Sequence, residues 1–125
     1  MVFLNLSNQK ENNNGDIKVK TPDILIIGGG VGGMSAASIA AESGLDVILI
    51  DDRVSLGGQF SKQPTPFHAS TLISKTDPQI KLGKKLIKRL SSTGVKVLNG
   101  VQIWAGFAER NVLAIIEERN ILFRP

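Results

Sequence analysis

The sequence predicts an α/β fold, a Rossmann-like parallel sheet built as β-α-β, helix, β and followed by a three-stranded antiparallel meander. Two four-residue apolar runs, Ile24–Ile27 and Val47–Ile50, flank a helical segment of small and apolar residues. Runs that are apolar throughout are typical of parallel strands covered on both faces. A second helix, a third strand and three short strands separated by turns follow.

The composition indicates one globular domain. The chain has 125 residues, of which 42% are hydrophobic and 21% charged, and a net charge of +4. No apolar run approaches the roughly 18 residues of a membrane span, and the apolar start is too short for a secretory signal. The absence of cysteine excludes disulfides, thiolate metal sites and dithiol redox chemistry. We therefore predict a cytoplasmic protein with no metal site.

The N-terminal segment differs from the rest of the chain. Residues 1–20 are rich in asparagine and lysine and include the tract Asn12-Asn-Asn-Gly-Asp16, which is typical of a turn or a disordered stretch. We predict a flexible arm over residues 1–20 and the folded domain over residues 21–125.

The turn after the first apolar strand indicates a dinucleotide ligand. Gly28, Gly30 and Gly33 form the pattern G-x-G-x-x-G between a strand and a helix. The first glycine permits a tight turn, the second lets a diphosphate reach the backbone, and the third lets the helix lie near the strand. We predict that the diphosphate binds to the whole stretch: Gly28, Gly29, Gly30, Val31, Gly32 and Gly33.

The second apolar strand ends in two aspartates. Asp51 lies 21 residues after Gly30, close to the spacing of about 20 for the acid that accepts a hydrogen bond from the ribose 2′-hydroxyl. A carboxylate there repels a 2′-phosphate, which disfavours NADP. Asp52, expected as a solvated neighbour, and Arg53 complete the predicted ligand set. The alternative is that both aspartates only end a strand in solvent.

A second glycine pair, Gly57-Gly58, follows a few residues later. With this pair the sequence resembles the flavoprotein superfamily with two dinucleotide-binding domains, of which glutathione reductase is the familiar type. The resemblance implies FAD as the cofactor, because plain NAD dehydrogenases lack the pair. It also implies that Gly57, Gly58 and Gln59 lie near the FAD diphosphate and ribityl chain.

The segment Gly57-Gly-Gln-Phe-Ser-Lys-Gln-Pro64 narrows the resemblance. It is similar to the FAD subunits of multi-subunit amine and opine oxidases, including the larger subunit of heterotetrameric sarcosine oxidase, and to dye-linked proline dehydrogenases. Amine or amino-acid oxidation with further subunits is thereby implied. A stand-alone, non-catalytic dinucleotide-binding module and a thioredoxin reductase-like fragment stay open as alternatives. No catalytic residue is predicted, because the single histidine, His68, lies in a polar loop where solvation is commoner.

The second helix is predicted to begin at Pro78 with Asp77 as its N-cap and to run to about residue 92. Its apolar face is traced by Ile80, Gly83, Leu86, Ile87 and Leu90, and lysines cover the other face. A basic stripe can contact nucleic acid, but no aromatic platform or recognition motif accompanies it. We predict a solvated face and no nucleic-acid partner.

The last part of the chain predicts a strand at 95–98 and a meander at 101–107, 111–117 and 121–123, with turns at 108–111 and 118–120. In the superfamily the residue that faces adenine lies where the meander begins, which implies Gln102 or Ile103; Ile103 is the predicted contact. Trp104 is expected to be a packing residue rather than a flavin contact. The superfamily continues with a further parallel strand beyond the position of Pro125. We therefore expect an incomplete domain, the ADP-binding half of an FAD site, which needs further sequence or a partner subunit for activity.

Overall fold

The computed structural model describes residues 17–58 and 77–125, which form three layers. Two helices make the first layer, a three-stranded parallel sheet the second, and a four-stranded mixed sheet the third. This arrangement confirms the predicted α/β class. The parallel sheet is the middle layer, so its central strand is covered on both faces.

The parallel sheet has the order β2-β3-β4, and its strands are β2 Ile24–Ile27, β3 Val47–Ile50 and β4 Lys96–Leu98. Successive side chains of a strand point to opposite faces. In β3, Val47 and Leu49 therefore pack toward the helices, whereas Ile48 and Ile50 join the core beneath the mixed sheet. All four are at most 1% exposed, as the continuous apolar run predicts.

The helices are α1 Val31–Glu42 and α2 Pro78–Ser91. The Asp77 side chain accepts a hydrogen bond from the Gln79 N–H at 2.8 Å, so the predicted N-cap is confirmed. Beyond α1, Gly44 has a φ of +88°, the left-handed conformation that favours glycine at a helix C-terminus. The two helices also share an exposed ion pair, in which Arg89 donates to Glu42.

The mixed sheet has the order β1-β7-β6-β5. Its members are β1 Lys18–Lys20, β5 Gln102–Gly106, β6 Val112–Ile116 and β7 Arg119–Phe123, and a 3₁₀ turn at Ala108–Arg110 joins β5 to β6. The β5, β6 and β7 strands are the predicted antiparallel meander. Strand β1 pairs with β7 in parallel, with Lys18 opposite Ile121 and Lys20 opposite Phe123.

Three details correct the sequence predictions. Residues Lys18–Lys20 form a strand, so the part of the expected arm next to the domain is structured, while residues 1–16 lie outside the described residues. The last turn consists of Glu117 and Glu118, both at positive φ, rather than residues 118–120. Trp104 is 67% exposed at a register shift in the β5–β6 ladder, so it does not pack in the core.

Candidate dinucleotide-binding site

The predicted ligand residues meet at the carboxyl ends of β2 and β3, where ligands bind in open parallel sheets. Strand β2 ends at Ile27, and the chain turns at Gly28, whose φ of +104° is strained for any residue with a side chain. The Gly28 N–H donates to the Ile50 carbonyl at 2.8 Å, which ties the turn to the neighbouring strand.

Helix α1 begins directly against this turn. A Cβ built on Gly33 would overlap the carbonyl oxygen of Gly28 and would lie 3.0 Å from its carbonyl carbon. The helix can approach the turn this closely only because residue 33 has no side chain. This contact is the physical basis of the third glycine in the motif.

The N-terminus of α1 is open. Gly30 is its N-cap residue, and no side-chain hydrogen bond caps this end of the helix. The first N–H groups of a helix have no intrahelical partner, and together with the helix dipole they favour an anion. Gly32, in the first turn, is exposed with open space around the position of a Cβ. The helix therefore presents donors that a diphosphate can reach.

The second glycine turn lies on the first. The Gly57 N–H donates to the Gly29 carbonyl at 2.8 Å, and a Cβ on Gly58 would come within 3.0 Å of the Gly30 Cα. Leu56 covers the other side, because a Cβ on Gly29 would overlap its side chain. The two turns thus form one continuous backbone surface beside the start of α1, and we call it the glycine cradle.

Asp51 connects the cradle to the parallel sheet. Asp51 is 7% exposed. Its Oδ2 atom accepts a hydrogen bond from the Gly29 N–H, and its Oδ1 atom accepts one from the Arg53 N–H at 2.8 Å. Its backbone bonds to Leu98 at 3.0 Å and to Val101 at 2.9 Å. The sequence predicted this acid as a ribose ligand, and the structure adds one bond to the cradle, at Gly29, and one to the backbone of Arg53.

A groove of about 280 Å³ lies next to the cradle. This volume lies just below the range of roughly 300–1,000 Å³ that is typical of ligand sites, so the groove is small for a whole dinucleotide. Its apolar walls include Ile27 and Ile103, which are 56% and 45% exposed, and Asp52 lines it as an exposed carboxylate. The described lining residues are Ile27, Gly28, Ile50, Asp51, Asp52, Val101 and Ile103.

The structure therefore brings the predicted residues of both glycine turns, the strand end and the start of the meander to one edge of the sheet, while Gln59 lies outside the described residues. Sequence reasoning missed Ile27 and Val101 in the groove and Leu56 behind the cradle. Ile27 could have been predicted to line the groove, because it is the last strand residue before the glycine turn. The contact of Leu56 with Gly29 depends on how the second turn folds back, which no local pattern reports.

The described residues fit the ADP half of FAD. A side chain on Gly30 or Gly58 would block the approach of a diphosphate to the backbone of the cradle, and the helix N-terminus offers donors for it. The groove beside them is lined by two carboxylates and by apolar side chains. In residues 17–58 and 77–125, no cluster of three or more potential metal ligands occurs. Within the same residues, no helix combines the length and the apolar character needed to cross a membrane.

Two curated proteins match short parts of the chain. The carotenoid 3,4-desaturase of Haloarcula japonica is 45% identical over 40 residues, which cover 32% of this chain and 8% of that protein. The carotenoid phi-ring synthase of Streptomyces griseus is 36% identical over 53 residues, which cover 42% of this chain and 10% of that protein. The chain thus spans about a tenth or less of the curated relatives it matches.

Solved structures match most of the chain. The L-proline dehydrogenase of P. horikoshii superposes with a TM-score of 0.64 at 22% identity, over 86% of this chain and 22% of that one. The thioredoxin reductase of Streptococcus pyogenes superposes with a TM-score of 0.60 at 27% identity, over 83% of this chain and 33% of that one. Both likenesses agree with the fold described above.

The sequence profile of the FAD dependent oxidoreductase family matches residues 23–118, from the start of β2 to the last turn of the meander. The match includes both glycine turns, Asp51 and Ile103. FAD is therefore the cofactor, and this chain belongs to the FAD dependent oxidoreductase family.

Proposed function

We propose that this chain provides the ADP-binding half of the FAD site in a flavoenzyme that oxidises an amine or an amino acid, with further sequence or a partner subunit completing the activity. The observation that carries the proposal is the glycine cradle, in which Gly57-Gly58 lies on Gly29-Gly30 at an open helix N-terminus. Backbone packed against backbone leaves a surface that a diphosphate can approach closely.

Each part of the site then has one task. The N–H groups at the start of α1 and the turn at Gly58 hold the diphosphate, and the helix dipole favours its charge. The strand end at Asp51 and Asp52 holds the adenosine ribose. The adenine enters the groove between the apolar side chains of Ile27 and Ile103, which are both half exposed and so lose water when they are covered.

Bound FAD supplies the hydride-accepting chemistry for cleavage of a C–H bond next to nitrogen. The described residues of this chain bind and orient the ADP end and take no part in proton transfer. The choice of an amine substrate is supported by the resemblance of residues 57–64 to amine and opine oxidases, and the fold shared with a proline dehydrogenase is compatible with it. Partner subunits and a cytoplasmic location belong to this same proposal.

The test is a titration of the purified 125-residue chain with ADP, FAD and NAD, followed by flavin fluorescence and melting temperature. ADP and FAD are expected to raise the melting temperature through preferential binding to the folded state. If neither ligand stabilises the chain, the proposal fails. Strong quenching of flavin fluorescence by the isolated chain would instead favour the stand-alone binding module.

Two variants distinguish a loss of ADP binding at the cradle from a general effect of substituting a glycine. In Gly30→Val the backbone conformation is allowed, and the nearest atom to the new Cβ is the Gly58 Cα at 3.9 Å, so the protein should fold. The side chain nevertheless stands in the path of the diphosphate, and ADP affinity should fall by at least about tenfold. Gly106→Ala places a methyl group in open space on β5 and should bind ADP as the parent does.

A further inference from the structure

The mixed sheet has an inner face toward the parallel sheet and an outer face on its other side. Ala114, Ile121 and Phe123 belong to the core between the two sheets. Because successive side chains of a strand point to opposite faces, Leu113 and Leu122 point to the outer face. Both helices pack on the far side of the parallel sheet, so within residues 17–58 and 77–125 no further layer covers the outer face.

A row of apolar residues crosses all four strands of this outer face. The paired positions are Val19 of β1, Leu122 of β7, Leu113 of β6 and Ala105 of β5. Ile115 lies on the same face, two residues after Leu113. All five are partly exposed, and none of them belongs to either hydrophobic core. We call these five residues the outer apolar patch.

Strand β1 reverses the pattern of a solvated sheet, in which polar side chains face outward. Lys18 is paired with Ile121 and Lys20 with Phe123, so both lysines are on the inner face. Val19 is therefore the side chain that β1 adds to the outer face. Contiguous apolar patches of a few hundred Å² at a protein surface are typical of interaction sites, and this pattern indicates that the outer face is covered.

The size of the face indicates the kind of occupant. Four strands of up to five residues, spaced about 4.8 Å apart, cover roughly 300 Å². A stable interface between two proteins buries roughly 800 Å² per partner, so a second copy of the chain would bury too little on this face. An extended segment of six residues is about 20 Å long, which matches the width of the four strands.

The chain contains a segment of this kind. Met1-Val-Phe-Leu-Asn-Leu6 has five apolar residues and no charged side chain, and the polar residues 7–16 connect it to Ile17, directly before β1. Ten residues span up to about 33 Å when extended, so this connection is long enough to reach every strand of the sheet. We propose that residues 1–6 bind to the outer apolar patch and cover the mixed sheet.

A nitroxide label on the segment tests the proposal. The chain has no cysteine, so Asn5→Cys accepts a single label. In the isotopically labelled chain of 125 residues, the label should broaden the methyl NMR signals of Leu113 and Leu122, and reduction of the nitroxide should restore them. The methyl signals of Leu82 should stay sharp, because α2 lies on the far side of the parallel sheet. Sharp signals of Leu113 and Leu122 in the folded protein would overturn the proposal, and so would equal broadening of Leu82.

Two substitutions in the labelled chain identify the contact. Phe3→Ser removes the largest apolar side chain of the segment and should weaken its binding to the patch by at least about tenfold, with a matching loss of broadening. Ile39→Ser, which changes an exposed residue of α1, is the control and should leave the broadening unchanged. Equal broadening in the two variants would exclude the apolar contact.

A mixing experiment separates binding within one chain from binding between copies. Spin-labelled chains without isotopes are added to isotopically labelled chains without the nitroxide. The proposal predicts no broadening in this mixture. Broadening of Leu113 and Leu122 there would show that a second copy covers the patch, and it would overturn the proposal.

Discussion

The strictest steric requirement of the site is the contact between α1 and the first glycine turn, and Gly33→Ala tests it. The added methyl group would overlap the Gly28 carbonyl oxygen and would lie 3.5 Å from the Ile26 Cγ2 atom. The turn cannot simply retreat, because the Gly28 N–H is bonded to Ile50 and the next N–H to Asp51. Either the helix must shift outward or these bonds must break.

The expected size follows from two opposing effects. Overpacking of this kind costs about 1–3 kcal/mol, and alanine returns at most about 1 kcal/mol through its better helix propensity. Because the overlap is with backbone atoms, the upper end of the overpacking cost applies, and we expect a net loss of about 2 kcal/mol of unfolding free energy, or about 6–10 °C in melting temperature for a domain of this size. ADP affinity should fall as well, because the N-terminus of α1 moves relative to the cradle.

Gly32→Ala is the control for Gly33→Ala, because the two variants have the same amino-acid composition. Its methyl group meets no atom within 4 Å, and the residue lies in the same helical turn. This variant should be more stable than the parent by about 0.5–1 kcal/mol. Urea unfolding followed by far-ultraviolet circular dichroism measures both variants. Equal midpoints for Gly32→Ala and Gly33→Ala would refute the steric account of the third glycine.

Three further substitutions test the surrounding fold. Phe123→Ala removes a fully buried side chain from the core under the mixed sheet and should cost about 3–5 kcal/mol in urea unfolding; a loss below about 1 kcal/mol would contradict that core. Asp77→Ala removes the N-cap of α2 and should cost about 1 kcal/mol by the same assay, whereas Asp77→Asn should restore most of it. Hydrogen bonding from Arg89 lowers the pKa of Glu42 in the folded state. The ion pair therefore stabilises the fold above the pKa that Glu42 has in the unfolded chain, and this stabilisation is lost as the pH falls through its folded-state pKa. The melting temperature of Glu42→Gln should therefore be closer to that of the parent below about pH 4 than at pH 7. The difference at pH 7 should shrink in high salt, and a difference that is independent of pH and salt would exclude the ion pair as its cause.

The elements that the sequence predicted best are those with strong local signals. Strands β2 and β3 are continuous apolar runs, and their bounds agree with the structure. Helix α1 lies between two glycine turns, and α2 begins at a capping aspartate followed by proline. In each case propensity, pattern and turn chemistry indicate the same element, which is why the parallel sheet and the position of the cradle could be predicted.

The parts that could not be predicted depend on distant partners. Strand β1 has the short, polar sequence Lys18-Val-Lys20, and it forms because it pairs with β7 at the other end of the chain. The last hairpin turns at Glu117 and Glu118 in a left-handed conformation that glutamate rarely adopts. The pairing of Ile116 with Arg119 leaves only these two residues for the turn.

The bonds of Asp51 show the same limit within the site. Spacing from the glycine motif predicted its place at the end of β3, and the structure agrees. The direction of its carboxylate depends on the N–H groups of Gly29 and Arg53, which come from two different loops. Local spacing predicts which strand end carries the two aspartates, but it does not decide which backbone N–H groups each carboxylate bonds.

Binding of ADP at the glycine cradle can be observed by amide NMR of the isotopically labelled 125-residue chain. Glycine amides are well separated in such spectra, and the chain has glycines both inside and outside the site. On addition of ADP, we expect the amide signals of the cradle and α1 glycines to shift and those of Gly44, Gly94 and Gly106, which lie elsewhere, to stay unchanged. Absence of shifts in the cradle, or shifts confined to the lysines of α2, would contradict it. The glycines expected to respond are Gly28, Gly29, Gly30, Gly32, Gly33, Gly57 and Gly58.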